Sequence, residues 1–359
     1  FGSIIACLTP TCKNIAAAML SQTFLVLVAT SRLIDANIAS SEVKPKDPHV
    51  FHMNVTDPNL GTYRRTYHAH VPDQCHHNHG RSCPILLWFH GWCGDPVCDS
   101  CGWAGVGEWH SFVTILPLGM ADGPKGTCIS WNVGAGGRDD ICVPKDVSDG
   151  MQYESCKRLG LSGPCNTLTC YDDVHFVQEL VASLPRHFNV DLSRVYAAGG
   201  SNGGMFVHYL VGALAKRKSS IQLQGIAPWY GAFYQGTLDV PQSIVRVRVV
   251  QFQGLQDVTI PANGGEAFDG GLYTPLNQTL DRYAKVNACS EMPTPLSTPF
   301  DGMSKQFRGC WAYRKCKVGG LVARCDFDHV HGFWETYSAA MTWWFLTSSE
   351  AGASDVAIV

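Results

Sequence analysis

Apolar and polar positions along this chain fall into short runs of two kinds, and the two kinds alternate. Residues 62–71 switch between polar and apolar, the two-residue period of a half-buried strand. Residues 84–90 are apolar almost throughout, as expected of a central strand covered on both faces. Residues 112–116, 194–198, 221–229 and 244–252 give further strands, the last rich in β-branched residues. Between them, residues 172–188 and 205–216 repeat apolar side chains at helical spacing, the first opening on Asp172. The aromatic run 335–346 reads as a helix that closes the fold. Strands alternating with helices predict an α/β fold: a mostly parallel sheet joined by crossovers, with helices on both faces. The stretch 95–173 differs. It is dense in Gly, Cys, Asp and Pro and poor in periodic runs, which predicts a loop-rich insertion over the site, held by disulfides.

The strand at 194–198 runs directly into Gly199-x-Ser201-x-Gly203, and a helix opens behind it. That context is the one a nucleophile elbow requires, with the serine lifted on a turn too tight for neighbouring side chains. A serine alone is a weak nucleophile and needs a base oriented by an acid. After the strand at 244–252 comes Gly254-Leu-Gln-Asp257, which puts a carboxylate just past a strand's C-terminal end. The histidines beyond Asp257 are His329 and His331, in Asp328-His-Val-His331-Gly. His331 precedes a glycine and suits a loop tip at the site, while His329 stays open as the alternative base.

These motifs stand in a particular order: Leu86-Leu-Trp-Phe-His90-Gly91, Ser130-Trp-Asn132, Asp172-Asp-Val-His-Phe176, Gly199-Gly-Ser-Asn-Gly-Gly-Met205 and His331-Gly. Over residues 60 to 346 the chain resembles the α/β-hydrolase family that contains polyhydroxybutyrate depolymerases, feruloyl esterases and acetylxylan esterases. The resemblance implies an α/β-hydrolase fold and a serine carboxylic-ester hydrolase using Ser201, Asp257 and His331. It implies no cofactor and no metal. Two segments depart from the family. Its His-Gly-x-x-Asp is here Gln253-Gly-Leu-Gln-Asp257, and its Asp-Gly-Gly-His is here Asp328-His-Val-His331. As substrates it implies feruloyl esters of plant-type polysaccharides first, poly-3-hydroxybutyrate second and acetylxylan third. A different class stays open, a non-catalytic secreted binding protein on the same scaffold.

An ester hydrolase needs N–H donors for the developing oxyanion. Asn202, next to the nucleophile, supplies one, and Trp92, after the His90-Gly91 strand end, supplies the other. His90 reads as a packed structural residue. Trp92, Trp103, Trp109, Trp131 and Trp229 are open to two readings, as stacking platforms for a phenolic acid or sugar, or as core.

Composition narrows the partners. A net charge of −3 over 359 residues suggests neither nucleic acid nor a polyanion as partner. There are 16 cysteines, 14 of them after residue 70, which fits an oxidising compartment. Cys75-His-His-Asn-His79 with Cys83, and Cys93 with Cys98 and Cys101, have partial zinc spacing, though disulfides are the plainer reading. The apolar run at 19–30 reads as a secretory signal core, too short to span a bilayer. The expected organisation is leader and polar linker at 1–48, a single catalytic domain at 49–350 and a tail at 351–359. The expected protein is secreted and free of the membrane after processing, with acceptor sequons at Asn54 and Asn277.

Overall fold

Residues 83–89 feed two cores by turns. In a computed structural model, Ile85, Leu87 and Phe89 pack into one buried cluster, and Leu86 and Trp88 into another on the opposite face. Alternation of this kind is what a strand with no solvent face must show. The structure describes residues 48–122, 128–135, 141, 153–161, 168–242, 247–267, 270–290, 292–317 and 320–348. The expected leader core at 19–30 and tail at 351–359 lie outside the described residues.

Among the described residues, ten strands form the main sheet. They are β1 (His49–Asp57), β2 (Gly61–His70), β3 (Cys83–Phe89), β4 (Val113–Pro117), β5 (Val190–Gly200), β6 (Leu223–Trp229) and β7 (Arg248–Gly254), with β10 (Pro293–Leu296), β11 (Phe307–Tyr313) and β12 (Leu321–Phe327). The short strands β8 (Gly265–Glu266) and β9 (Leu272–Tyr273) pair separately. The sheet order is β1-β2-β4-β3-β5-β6-β7-β12-β11-β10. The six strands from β4 to β12 run parallel, and both flanks are antiparallel. This is the α/β-hydrolase arrangement expected from the motif order.

Helices cover both faces. They are α1 (Trp103–His110), α2 (Glu154–Arg158), α3 (Asp173–Ser183), α4 (Asn202–Lys216), α5 (Leu276–Val286) and α6 (Ser338–Thr347). Helices α3, α4 and α5 bury their apolar residues in the cluster with Ile85 and Phe89, whereas α1 and α6 complete the one with Trp88. Asp172 caps α3 by accepting the His175 N–H at 2.9 Å, as its position predicted. The expected helix at 335–346 begins three residues late, because Ser338 Oγ accepts the Glu335 N–H and turns the chain first.

The structure adds elements to those expected. Within 95–173 it places β4, the strand expected at 112–116, and also α1, a helix that was not expected. Strands β1 and β12 and helix α5 were not anticipated, and β12 is the one that delivers the last site residue.

Candidate active site

The elbow is built by exclusion of side chains. A Cβ on Gly203 would lie 2.1 Å from the Phe89 carbonyl oxygen, and one on Gly199 would lie 2.7 Å from the Gly203 backbone. Strand and helix therefore touch backbone to backbone, which only glycine permits. Ser201 sits between them at φ 54° and ψ −121°, a strained conformation for a residue with a side chain. Its N–H donates to the Trp229 carbonyl at 2.9 Å, and its own carbonyl accepts the Met205 N–H at 2.9 Å. The first turn of α4 begins at Asn202, so the serine hydroxyl stands over free helix N–H groups.

Asp257 follows β7 on a tight loop and is buried. Its Oδ1 accepts the N–H groups of Thr259 and Ile260, each at 2.9 Å. Gln253, standing where the resembled family has histidine, donates from Nε2 to Asp257 Oδ2 at 3.3 Å and to the Ile260 carbonyl at 3.2 Å. The departure thus keeps a donor behind the Asp257 carboxylate. His331 follows β12, and the pairing of β12 with β7 carries it to Asp257. Its Nδ1 lies 2.8 Å from Asp257 Oδ2 and its Nε2 2.8 Å from Ser201 Oγ. A carboxylate only accepts, so Nδ1 carries the proton and Nε2 is left to accept from the serine hydroxyl. The imidazole is walled by Tyr230, whose ring centroid is 5.0 Å away. Burial raises the Tyr230 phenol well above its ordinary range, so it remains protonated beside the imidazole. His329 is held elsewhere. Its Nε2 lies 2.8 Å from Glu335 Oε1, and its ring stacks on Phe333.

The loop after β3 lies against the serine, since a Cβ on Gly91 would come within 3.3 Å of Ser201 Cβ. His90 is buried as a brace. Its Nδ1 donates to the Gly91 carbonyl at 2.7 Å, and its Nε2 accepts the Gly119 N–H at 2.9 Å. Accepting at Nε2 needs the neutral ring, and burial lowers its pKa to about 4. Asn202 uses its side chain to exchange hydrogen bonds with the Trp131 backbone, at 2.8 and 3.3 Å. Trp131 in turn donates from Nε1 to the His90 carbonyl at 3.0 Å. Behind them, Arg65 and Asp173 form a buried ion pair at 2.6 Å, and Asp173 also accepts the Asn132 N–H at 2.7 Å. The Ser130-Trp-Asn132 and Asp172-Asp motifs are therefore scaffold for the elbow.

The tryptophans divide. Trp103, Trp131 and Trp229 are core, so the stacking reading fails for them. Trp109 is exposed at the end of α1, and Trp92 is 37 % exposed on the loop beside Ser201. Sequence reasoning missed the apolar rim. Leu255, Val258 and Val330 are 50, 65 and 59 % exposed, and each lies within two residues of Asp257 or His331. The cysteines of both suspected zinc clusters are bridged, as Cys75–Cys83, Cys98–Cys101 and Cys93–Cys128. Cys156–Cys170, Cys289–Cys316 and Cys310–Cys325 are bridged as well.

No protein-family model matches the chain. Over 179 residues it is 28 % identical to a feruloyl esterase B from Piromyces equi, which covers 46 % of this chain and 29 % of that protein. The chain thus spans less than a third of that relative's length. Among solved structures it is similar to an acetyl xylan esterase from Aspergillus awamori, with TM-score 0.49 and 13 % identity, covering 83 % of this chain and 100 % of that one. An S-formylglutathione hydrolase from Agrobacterium tumefaciens aligns with TM-score 0.44 and 14 % identity, over 86 % of this chain and 98 % of that one.

Proposed function

We propose that this chain is a secreted serine carboxylic-ester hydrolase. The observation that carries the reading is the unbroken hydrogen-bonded series Ser201 Oγ, His331, Asp257, with 2.8 Å at each step. Ser201 attacks the ester carbonyl while His331 Nε2 takes the hydroxyl proton, forming a tetrahedral intermediate. His331 then returns the proton to the leaving alcohol, and an acyl-serine remains. Water, activated by the same nitrogen, hydrolyses it. Asp257 keeps the imidazole in the right tautomer and stabilises its charged form. The Trp92 and Asn202 N–H groups hold the oxyanion, each donor worth roughly 3 kcal/mol of barrier.

For substrate, we infer a feruloyl ester of a plant-type polysaccharide. The partial likeness to a feruloyl esterase supports it, as does an apolar rim with an exposed indole beside the serine, suited to a phenolic acyl group. The disulfides support an oxidising, extracellular compartment, and among the described residues no helix is long and apolar enough to cross a membrane. Asn54 and Asn277 are exposed, as acceptors of N-linked glycan must be. The test is ferulate release from methyl ferulate by the wild type and by Ser201→Ala, together with fluorophosphonate labelling. Release and labelling confined to the wild type support the reading. A wild type that neither turns over esters nor takes the label makes it a binding protein on a hydrolase scaffold.

A further inference from the structure

Trp92 is tied to a part of the chain that the sheet does not carry. Its Nε1 donates to the Tyr153 hydroxyl at 2.7 Å, and that hydroxyl donates onward to the Cys128 carbonyl at 3.4 Å. Cys128 is disulfide-bonded to Cys93, the residue after Trp92. The connections close into a ring: Trp92, Cys93, Cys128, Tyr153 and back to Trp92. Cys93 also donates its N–H to the Ile129 carbonyl at 3.0 Å. Within this ring Cys93 sits at φ 52°, the left-handed region that favours glycine. A conformation of that kind persists where its surroundings over-determine it.

Tyr153 itself is well anchored. It is buried with Cys156 and Cys170, which are bridged to each other. The next two N–H groups, of Glu154 and Ser155, donate to Asp122 at 2.9 and 2.8 Å. Removing the hydroxyl would leave the phenyl group packed with Cys156 and Cys170 and would open the closed circuit at its two hydrogen bonds, freeing the indole and the Cys128 carbonyl.

We propose that Tyr153 is a positioning residue for the oxyanion donor. Its hydroxyl, acting on the Trp92 side chain, fixes where the Trp92 backbone N–H points. The inference rests on the serine hydrolase reading above. A merely structural tyrosine would change stability alone. A positioning one changes the recognition of the oxyanion, because donors must lie at hydrogen-bond distance from the position that charge will occupy.

The experiment compares wild type, Tyr153→Phe, Trp92→Phe and the double variant. Four quantities are measured: kcat and KM on 4-nitrophenyl acetate, the thermal midpoint, inhibition by a trifluoromethyl ketone, and fluorophosphonate labelling of Ser201. Tyr153→Phe should lower kcat about tenfold, short of the roughly hundredfold or greater loss that follows removal of a donor. KM and the thermal midpoint should stay near wild type, and the ketone, which mimics the oxyanion adduct, should weaken in step with kcat. Trp92→Phe, which also breaks the bond, should lose a similar factor, and the double variant should lose no more than either alone. Unchanged kcat in Tyr153→Phe overturns the inference, as do losses that multiply in the double variant. So does a fall in thermal midpoint with ketone affinity intact. A wild type that neither reacts with the label nor turns over ester overturns the hydrolase reading, and this one with it.

Discussion

The site draws on two regions that are made rigid by different means. Ser201, Asp257 and His331 stand at the ends of β5, β7 and β12, three parallel strands of one buried sheet. The loop bearing Trp92 faces segments 128–135 and 153–161, which contribute no strand to the sheet. The apolar cluster around Tyr153 is small, and Cys93–Cys128 and Cys156–Cys170 supply the cross-links. Burial of apolar surface holds the first region, at roughly 25 cal/mol per Å². The second is too small for that and relies on covalent closure of short loops. In the proposed mechanism, nucleophile, base and acid would therefore depend on the fold, and one oxyanion donor on staples.

The largest effects should come from the sheet-borne half. Ser201→Ala should remove activity by a factor on the order of 10⁶ with its circular dichroism unchanged. Residual turnover near wild type would end the comparison, since the strand ends would then carry no chemistry. Asp257→Asn should cost about 10⁴-fold in kcat, because the amide favours the wrong imidazole tautomer.

Acid should attack this same half. His90 and His208 are both buried neutral, with burial lowering each pKa to about 4. An unfolded chain takes up these protons near pH 6.5, whereas the folded one resists until about pH 4. Their contribution is thus complete above about pH 6.5 and falls as pH drops toward 4, by up to about 3 kcal/mol for each histidine. Denaturant titrations across that window check the slope. A flat profile would mean that neither ring is held neutral. Mild thiol reductant should act first on the other half, since Cys93 is exposed whereas the Cys310–Cys325 bridge between β11 and β12 is buried, lowering kcat by about tenfold to a hundredfold before the far-ultraviolet signal changes. Simultaneous loss of both signals would show that the two regions do not separate. Smallest of all, Val330→Ser should raise KM for aromatic esters by about fivefold, close to 1 kcal/mol of lost apolar contact, and leave kcat alone.

Legibility in the sequence followed the same division. The elbow was readable because its cause is local, with glycines at 199 and 203 excluding side chains where two backbones meet. Asp257 was readable because a strand rich in valine precedes it. Strand β12 was hidden, since Arg324 and Asp326 interrupt its apolar pattern and are reconciled only by pairing with each other at 2.5 Å. The choice of His331 over His329 therefore rested on the resemblance and the glycine that follows, and the hydrogen bonds separate the two histidines. Helix α5 was hidden by its many polar positions, though one face of it is core. Nothing near Tyr153 marks its role, because its partner Trp92 lies 61 residues away and the disulfide that closes the ring is a product of folding.

The glycines of the elbow carry a consequence for heredity. Every single-nucleotide change that replaces a glycine by another amino acid adds a Cβ, since glycine is alone in lacking one. At Gly199, Gly203, Gly204 and Gly231 that atom would fall within 2.8 Å of another stretch of backbone. Backbone cannot rotate aside as a side chain can, so no mild substitution lies one mutational step away. In a library of all single variants these four positions should accept no replacement, alanine included, while the exposed rim at Leu255, Val258 and Val330 accepts many. Lineages that keep the activity are free to drift in what they bind and are confined in how they hold the serine.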